Sequence, residues 1–335
     1  MTTINNSVLS LLDLAKRTDP NGQKTKAIVE MLSQSNEMLT DMKWKEGNLD
    51  TGHRTTVRTG LPSVTWRLLN QGVTPSKSTT AQIDEQTGIL EAWSEVEEEV
   101  AKLGGDVGAT RLSEGMAFLE AMNQEMQQTL IYGNSGTAPE EFMGLAPRYA
   151  AKSGATNTAN VLDAGGTSTD NTSIWLVCWG ENTIFGIVPK GSKAGLQHND
   201  FGIQTVQDAA GIGTGRMRAY QERWQWKAGI ALKDWRYVVR IANIDVSNMV
   251  AQTSAADLIK YMILATHVPP TQGMGKAVFY MNRSVFAALD IQRGDAVSVG
   301  GGITYDNVDG KRIYSFRGIP IRIVDSILET EARVV

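Results

Sequence analysis

The sequence contains very little cysteine and histidine. Cys178 is the only cysteine in 335 residues, and the histidines are His53, His198 and His267. A single cysteine excludes a disulfide within the chain, as is usual for proteins of a reducing compartment. The histidines lack the spacing of zinc-binding motifs, and one cysteine cannot form a cysteine-rich zinc site. We therefore predict no metal and no cofactor, and we expect Cys178 to behave as a small core hydrophobe.

Long apolar runs and a strong net charge are also absent. No run approaches the roughly 20 residues needed to cross a bilayer, and the opening segment MTTINNSVLS lacks the charged and apolar regions of a secretory signal. The 32 basic and 36 acidic residues give a formal net charge of -4. The chain therefore has no overall attraction to nucleic acid or to anionic membranes. We expect a soluble folded protein that is made in the cytoplasm, with no membrane partner.

Catalytic and nucleotide-binding motifs are weak or missing. Gly211, Gly213 and Gly215 resemble a phosphate-binding loop, but no clear strand precedes them, no helix follows and no Gly-Lys-Ser/Thr closes the motif. The polar cluster His198–Asp200 fits an ordinary loop better than a metal site, and no GxSxG elbow is present. The sequence favours a protein that is not an enzyme. A nucleotide-binding enzyme that uses the Gly211–Gly215 loop is the alternative.

The most regular segment is a long helix, predicted over Arg111–Ile131. At 1.5 Å per residue it is roughly 31 Å long, and it ends before Gly133, which can adopt the left-handed conformation of a helix C-cap. Gly115 costs such a helix about 1 kcal/mol relative to alanine, so we expect another segment or chain to approach it closely. The apolar residues recur in steps of three and four, at Leu112, Met116, Leu119, Met122, Met126 and Leu130.

The preceding segment predicts a long hairpin. Residues Thr55–Leu69 favour a strand, residues Asn70–Ser76 favour a turn, and strand-forming residues return over Gln82–Val96. Pro62 argues against a central strand. Fifteen extended residues span about 50 Å at roughly 3.3 Å each, whereas a compact chain of this length has a radius of gyration of only about 20 Å. We therefore expect the hairpin to project beyond the body of the protein.

The charge of this hairpin is divided between its two halves. Residues Lys43–Lys77 contain six basic and two acidic residues, a net charge of +4, whereas Asp84–Asp106 contain eight acidic and one basic residue, a net charge of -7. Solvated strands with cross-strand ion pairs would explain this pattern, each pair being worth under ~1 kcal/mol. An arm that docks on a copy of itself would explain it equally well. The projecting length favours docking.

The N-terminal residues 1–47 predict two thin amphipathic helices, which fit either an arm lying across the body or a helix pair that binds a partner.

Residues Ala150–Ser173 and Lys190–Gly215 are predicted to be irregular. The segment Ile174–Val188 is apolar and favours strands. Residues Arg216–Arg240 carry a net charge of +5 with three interleaved tryptophans. That pattern is found in single-strand binders, but a strand with one solvated face explains it more simply.

The C-terminal part predicts alternating helices and strands. A helix over Thr253–Val268 begins at Ser254 and Asp257, which resemble a capping box, and ends at a Pro-Pro pair. A buried strand over Ala277–Met281 leads into a short helix capped by Asn282. Two further strands are predicted to meet at Gly318. The fold class is therefore α+β.

Five segments of the chain carry a family resemblance in their order along the sequence. They are TGLPSVTWRLLNQGV (Thr59–Val73), RLSEGMAFLEAMNQEM (Arg111–Met126), IYGNSGTAPEEFMGLAPRY (Ile131–Tyr149), KAGIALKDWRYVVRIANID (Lys227–Asp245) and FRGIPIRIVDSI (Phe316–Ile327). With these segments the chain resembles the major capsid proteins of tailed bacteriophages, which have the Hong Kong 97-like shell fold. It is most similar to those of short-tailed phages of the epsilon-fifteen type.

The resemblance implies four parts: an N-terminal arm (1–47), an extended E-loop (48–105), a peripheral domain with a spine helix (106–248), and an axial domain with a C-terminal strand (249–335). It implies hexamers and pentamers that close into an icosahedral shell around double-stranded DNA in the virion. Scaffolding, portal and cementing or decoration proteins are candidate partners, and packaged DNA is a candidate for non-specific contact. A shell protein of a cellular compartment is an alternative with the same fold.

Two features depart from the pattern of this family. The strand-rich block Met217–Asp245 precedes the helix from Ser254, whereas several members place their last peripheral strands after the axial domain. We also find no match to the Lys–Asn pair that cross-links some relatives, so we expect a non-covalent shell. The candidate subunit-interface residues lie in the hairpin and in the acidic segment that follows it: Arg54, Arg58, Trp66 and Arg67, with Glu95, Glu97, Glu98 and Glu99 as acidic counterparts.

Overall fold

A computed structural model of the chain describes residues 37–103, 105–154, 156–207, 215–251, 256–271, 273–295, 303–308 and 311–335. Within these residues the helices are α1 (Met38–Asp41), α2 (Glu98–Leu103), α3 (Val107–Tyr132), α4 (Val246–Ala251), α5 (Leu258–His267) and α6 (Arg283–Asp295). The strands are β1 (Trp44–Glu46), β2 (Gly52–Gly60), β3 (Thr79–Gln86), β4 (Gly88–Glu97), β5 (Val161–Asp163), β6 (Asn171–Trp179), β7 (Ile184–Val188), β8 (Leu196–Gln207), β9 (Arg216–Leu232), β10 (Val238–Asp245), β11 (Lys276–Met281), β12 (Ile303–Val308), β13 (Lys311–Phe316) and β14 (Ile319–Ile323). The predicted α+β class is confirmed.

One large mixed sheet organises the molecule. It has 12 strands, and its main path runs β12-β13-β14-β11-β6-β7-β9-β4. Strand β1 pairs with β7, β10 pairs with β6 and β5, and β8 pairs with β9, while β2 and β3 form a separate two-stranded sheet. The strand-rich block β9–β10 is therefore part of the same sheet as the C-terminal strands.

The central strand β6 is buried along its whole length. Successive side chains of a strand point to opposite faces, so Trp175 and Val177 belong to a core that includes the C-terminal half of α3. Ile174 and Leu176 face a second core, formed with α4, α5 and α6. Both faces of the sheet are covered, which explains why the run Ile174–Trp179 is continuously apolar. Cys178 lies in this strand as a buried residue, as expected.

The spine helix α3 is longer than its apolar stripe indicates, because it begins at Val107 rather than Arg111. The Asp106 carboxylate caps it by accepting a hydrogen bond from the Ala109 amide. The expected left-handed C-cap at Gly133 is wrong, since this residue has φ -50° and ψ 134°. Gly133 serves close packing instead, because a Cβ there would lie 2.6 Å from the carbonyl oxygens of Phe142 and Thr129.

The close neighbour expected at Gly115 is present within the chain. A Cβ at this position would lie 3.2 Å from the indole of Trp224 on β9. The indole cannot move away easily, because it is stacked with both Phe118 and His198, at 5.5 and 5.0 Å between ring centroids. Gly115 therefore lets the N-terminal half of α3 lie directly on the sheet.

Three expectations about the segments around the hairpin need correction. Residues Gln82–Val96 are two strands, because β3 ends at Gln86 and β4 pairs with β9 along its whole length. The segment Lys190–Gly215 contains the twelve-residue strand β8, which pairs with β9. Ala150–Ser173 contains the short strand β5 and the start of β6. The sequence pattern missed β8 because its side chains are mostly polar and exposed.

The C-terminal elements follow the sequence expectations closely. The turn between β13 and β14 has positive φ at Arg317 (52°) and Gly318 (82°), as a tight hairpin turn requires. The Asn282 side chain caps the start of α6 by accepting from the Ser284 amide. Helix α5 begins later than predicted, and Asp257 caps it by accepting from the Lys260 amide at 3.0 Å. Ser254, the loop Gly211–Gly213 and residues 1–36 lie outside the described residues.

Residues 37–47 are fastened to the large sheet. Strand β1 pairs in parallel with β7, and the buried carboxylate of Asp41 receives three polar contacts. Lys276 lies at 2.5 Å, the Tyr280 hydroxyl at 3.1 Å and Arg322 at 3.3 Å. The charges balance the cost of burying this carboxylate, so the chain enters the sheet at a fixed place.

Candidate assembly surface

The β2–β3 hairpin ends in a long irregular tip, which comprises residues 61–78. The two strands are paired from Gly52–Gln86 to Gly60–Thr79. Beyond them the hydroxyl of Ser76 donates to the Ser63 carbonyl, and the chain reverses at Asn70, which has φ 68°. All residues from 61 to 77 are exposed. The tip is therefore exposed to solvent, as expected of a projecting hairpin, but β2 ends at Gly60 and does not continue to Leu69 as the sequence predicted.

The tip is apolar and basic at once. No acidic residue occurs between Asp50 and Asp84, whereas Arg67 and Lys77 lie in the tip. Trp66 is fully exposed, which is unusual for a residue that normally buries most of its surface. The other large apolar side chains exposed in the tip are Leu61, Val64, Leu68, Leu69 and Val73. A contiguous exposed apolar surface of this kind marks an interaction site.

The four predicted hairpin residues differ in their surroundings. The guanidinium of Arg54 forms a bidentate pair with Asp84 on the opposite strand, at 2.6 and 2.7 Å. Its hydrogen bond holds the pKa of the Asp84 carboxyl below its usual value. Arg58 lies farther along β2, and Trp66 and Arg67 lie in the tip. Arg54 therefore contributes to the hairpin itself, and the other three extend toward its end.

The predicted acidic residues lie on β4 and α2, away from the hairpin. Glu95 accepts a hydrogen bond from Gln221 on β9 at 2.9 Å. Glu97 lies opposite Ala219 at the end of β4. Of the cross-strand ion pairs considered from the sequence, the described hairpin contains Arg54–Asp84. Most of the acidic segment cannot pair across the hairpin, because β3 ends at Gln86 and the following residues join the large sheet.

Glu98 and Glu99 open helix α2 and share Lys102. The Lys102 ammonium lies 2.9 Å from Glu98 and 3.0 Å from Glu99. Arg218 on β9 reaches Glu98 at 3.3 Å. The hydrogen bond from Lys102 lowers the pKa of Glu98. Glu98 is therefore engaged within its own chain, whereas Glu99 is exposed.

A buried ion pair fastens the hairpin to the body. Arg148 donates two hydrogen bonds of 2.6 Å to the carboxylate of Glu85, the penultimate residue of β3. Arg148 also donates to the carbonyls of Gly144 and Met143. Only 7% of the Glu85 side chain and 14% of the Arg148 side chain are accessible. This pair, which we call the latch, joins the hairpin to the loop that follows α3.

A second polar cluster ties α3 to the β8–β9 strands. Arg111 lies 2.7 Å from Glu222 and 2.6 Å from Asp200, and its hydrogen bond lowers the pKa of Asp200. Glu222 also contacts the His198 imidazole at 2.9 Å. The polar cluster His198–Asp200 noted in the sequence is therefore part of a strand and supports the spine helix.

The C-terminal residues are held by a buried network. Arg240 lies 2.9 Å from Glu331, and both side chains are almost inaccessible. Glu331 also accepts from the hydroxyls of Tyr132 and Ser173. Burial, with the neighbouring Glu331 charge, raises the pKa of Tyr132 far above its usual range. The network joins the end of α3, strands β6 and β10, and the C-terminal tail.

Within the described ranges no group of three His, Cys, Asp or Glu residues could hold a metal ion. Among the helices described, none combines the length and apolar character that spanning a membrane requires. Burial raises the pKa of the Cys178 thiol to about 11, which disfavours the thiolate form that nucleophilic chemistry needs.

Comparison with protein families identifies the chain. The family model described as Major capsid protein GP7 matches residues 19–335. The chain belongs to the GP7 family of major capsid proteins. Membership agrees with the resemblance drawn from the five sequence segments, and it makes this capsid protein a component of a phage virion. It does not favour either alternative, the nucleotide-binding enzyme or the shell protein of a cellular compartment.

A solved structure supports the same conclusion. A chain from the cryo-EM structure of bacteriophage Epsilon15 is 34% identical to the capsid protein and has a TM-score of 0.80, and the match covers 100% of this chain and 99% of that one. The SrpI encapsulin complex of Synechococcus elongatus matches at 12% identity and TM-score 0.44, over 70% of this chain and 96% of that one. No curated protein sequence matches the chain.

Sequence reasoning located the hairpin and missed its latch. Glu85 belongs to the acidic segment Asp84–Asp106, and Arg148 lies 63 residues farther along the chain. Their distance along the chain leaves no local signal for the pairing. A faint signal was available, because Glu85 follows Asp84 in a strand and must face the opposite side. Asp84 points to Arg54, so Glu85 needed another cation.

Proposed function

We propose that this major capsid protein assembles as hexamers and pentamers into an icosahedral shell around double-stranded DNA, through its β2–β3 hairpin. The observation that supports the proposal is the exposed apolar and basic tip, which the chain cannot bury within its own described body. A self-assembling protein gains stability by burying such a surface on its neighbours. Many copies of a weak contact around a closed shell then act together.

The proposal includes the four-part division at residues 47/48, 105/106 and 248/249. The hairpin belongs to the second part, and the last boundary separates strands that share one sheet, because β11 pairs with β6. We infer that the N-terminal arm makes further contacts between subunits. We also infer that the shell is non-covalent, that it assembles in the host cytoplasm, and that the chain has no enzymatic activity. Scaffolding, portal and cementing proteins, with non-specific contact to the packaged DNA, complete the proposed partners.

Replacing the tip tests the proposal directly. A variant in which residues 61–78 are replaced by Asn-Gly joins β2 to β3 by a two-residue turn. We expect its circular dichroism to match the wild type, because these residues are exposed, and we expect no closed shells in negative-stain electron microscopy. Normal particles from this variant would refute a role for the hairpin in assembly.

Charge reversal tests the acidic counterparts of the hairpin. We expect the double variant Glu97→Lys/Glu99→Lys to remain soluble and to fail in shell closure, because repulsion from the basic strand of the hairpin replaces attraction. Glu98→Lys is made separately, since it also disrupts the internal contacts with Lys102 and Arg218. Sedimentation velocity separates subunits from shells. Shell formation by the double variant at the wild-type concentration would contradict the assignment.

A further inference from the structure

A groove beside the base of the hairpin has the shape and charge of a receptor for the tip. Its volume is about 230 Å³, and it lies between the start of β4, the spine helix α3 and the loop before Phe142. Its lining contains no basic residue. The lining residues are Gly88, Ile89, Leu90, Glu125, Met126, Thr129, Glu140, Glu141 and Phe142.

The groove combines an apolar lining with an acidic rim. Ile89 is more than half exposed, whereas Met126 and Phe142 are buried and line the groove. Glu125 and Glu140 are exposed at the rim. An apolar side chain next to a cation would satisfy both parts of this surface, because the apolar group loses contact with water and the cation meets carboxylates.

The tip supplies that combination at adjacent positions. Trp66 is fully exposed, and Arg67 follows it. The indole is the largest apolar group of the tip, and an aromatic residue of this kind is the usual centre of a binding interface. The tip has no acidic residue that would be repelled by the rim. The complementarity is therefore both steric and electrostatic.

We propose that the groove receives Trp66 from the hairpin of a second copy of this chain, with Arg67 placed against Glu125, Glu140 and Glu141. The inference rests on the proposed function, because it requires that the hairpin docks on a neighbour. The contact is heterologous, since the tip of one subunit meets a different surface on the next. Contacts of this type generate rings when the rotation closes.

The proposed docking of Trp66 in the groove of a second copy, which we call the seat, agrees with the dimensions of the hairpin. Strand β4 leads from the groove at Gly88 to Glu97, a distance of about 30 Å at roughly 3.3 Å per residue. Arg58 lies on β2 and is therefore nearer the base of the hairpin than Trp66 and Arg67. A hairpin that lies along β4 with Trp66 in the groove therefore brings Arg58 toward the acidic end of that strand. The same docking position thus accounts for the apolar tip and for the basic charge of the hairpin.

Zero-length cross-linking tests the seat. The variant Arg67→Lys keeps the charge and introduces a primary amine. A carbodiimide activates a carboxylate in direct contact with this amine. The amine nitrogen then forms an amide bond with the carboxyl carbon, and the carbodiimide leaves as a urea. In assembled shells we expect inter-chain peptides that link this amine to Glu125, Glu140 or Glu141 by mass spectrometry. The matched control Arg58→Lys is expected to give no link to the groove. Links from position 67 to other carboxylates, with none to the groove, would overturn the seat.

Two measurements make the result independent of that variant. Hydrogen exchange of wild-type shells against dissociated subunits should show joint protection of residues 64–68 and 140–142, and unchanged exchange at 140–142 would overturn the seat. We expect Trp66→Ala to raise the subunit concentration required for assembly at least tenfold, and Trp66→Phe to raise it less. A shell that needs its tip but leaves the groove unprotected disproves only the seat. Normal shells without the tip disprove the proposed function as well.

Discussion

Replacement of Arg240 by methionine is expected to lower the free energy of unfolding by about 3–5 kcal/mol, because it leaves the Glu331 carboxylate buried without a cation. The Arg240 guanidinium also donates to the Tyr149 carbonyl at 2.9 Å and to the Ser173 hydroxyl at 3.0 Å. Both acceptors lose a donor in the variant. Urea denaturation of the subunit that carries the Asn-Gly tip measures the change without interference from assembly.

A matched control separates this effect from the loss of any surface charge pair. Arg283 pairs with Asp325 at 2.8 Å, but its side chain is 68% exposed. Arg283→Met should therefore change the stability by less than about 1 kcal/mol. The double variant Arg240→Met/Glu331→Leu should recover much of the loss, since it removes both charges. An Arg240→Met variant no less stable than the control would contradict the role of the network.

Neutralising the latch is expected to free the hairpin while the body stays folded. Glu85→Gln preserves the shape of the side chain, but only its amide oxygen can accept from Arg148, and its NH2 group faces the second guanidinium donor. We expect the free energy that holds the hairpin against the body to fall by about 2–3 kcal/mol. Since 1.4 kcal/mol corresponds to a factor of ten, the hairpin should detach roughly 30 to 150 times more often. Hydrogen exchange in β2 and β3 should accelerate accordingly, and the yield of closed shells should fall.

The preceding residue of the same strand provides the control for the latch. Asp84 forms an equally short bidentate pair, but its partner Arg54 lies within the hairpin and both side chains are about half exposed. Asp84→Asn should leave the exchange of β2 and β3 and the shell yield close to the wild type. Equal effects of the two variants would mean that the orientation of the hairpin does not depend on the latch.

The elements that the sequence predicted well are those with a strong local pattern. The spine helix follows from its apolar spacing, β6 follows from a continuous apolar run, and the turn at Gly318 follows from the demand for positive φ. Each of these signals depends on residues within a few positions of one another. The expected crowding at Gly115 also proved correct, although only the structure identified the neighbour as Trp224.

The elements that were mispredicted depend on distant partners. Residues 82–96 look like one strand, but the chain changes partner at Gln86, from β2 in the hairpin to β9 in the large sheet. Strand β8 is polar and mostly exposed, so its identity as a strand comes from its pairing with β9. Gly133 takes no left-handed conformation because the loop that ends at Gly144 packs against it.

The sequence by itself determined the α+β class, the long helix, the projecting basic hairpin and, through its resemblance, the family. These follow from local periodicity, composition and charge. Only the tertiary structure decided that Glu85 holds the hairpin through Arg148, that Glu331 is buried against Arg240, and that an acidic groove lies beside the hairpin base. The physical reason is that a buried charge needs a partner, and the folded backbone selects that partner from residues far apart in the chain.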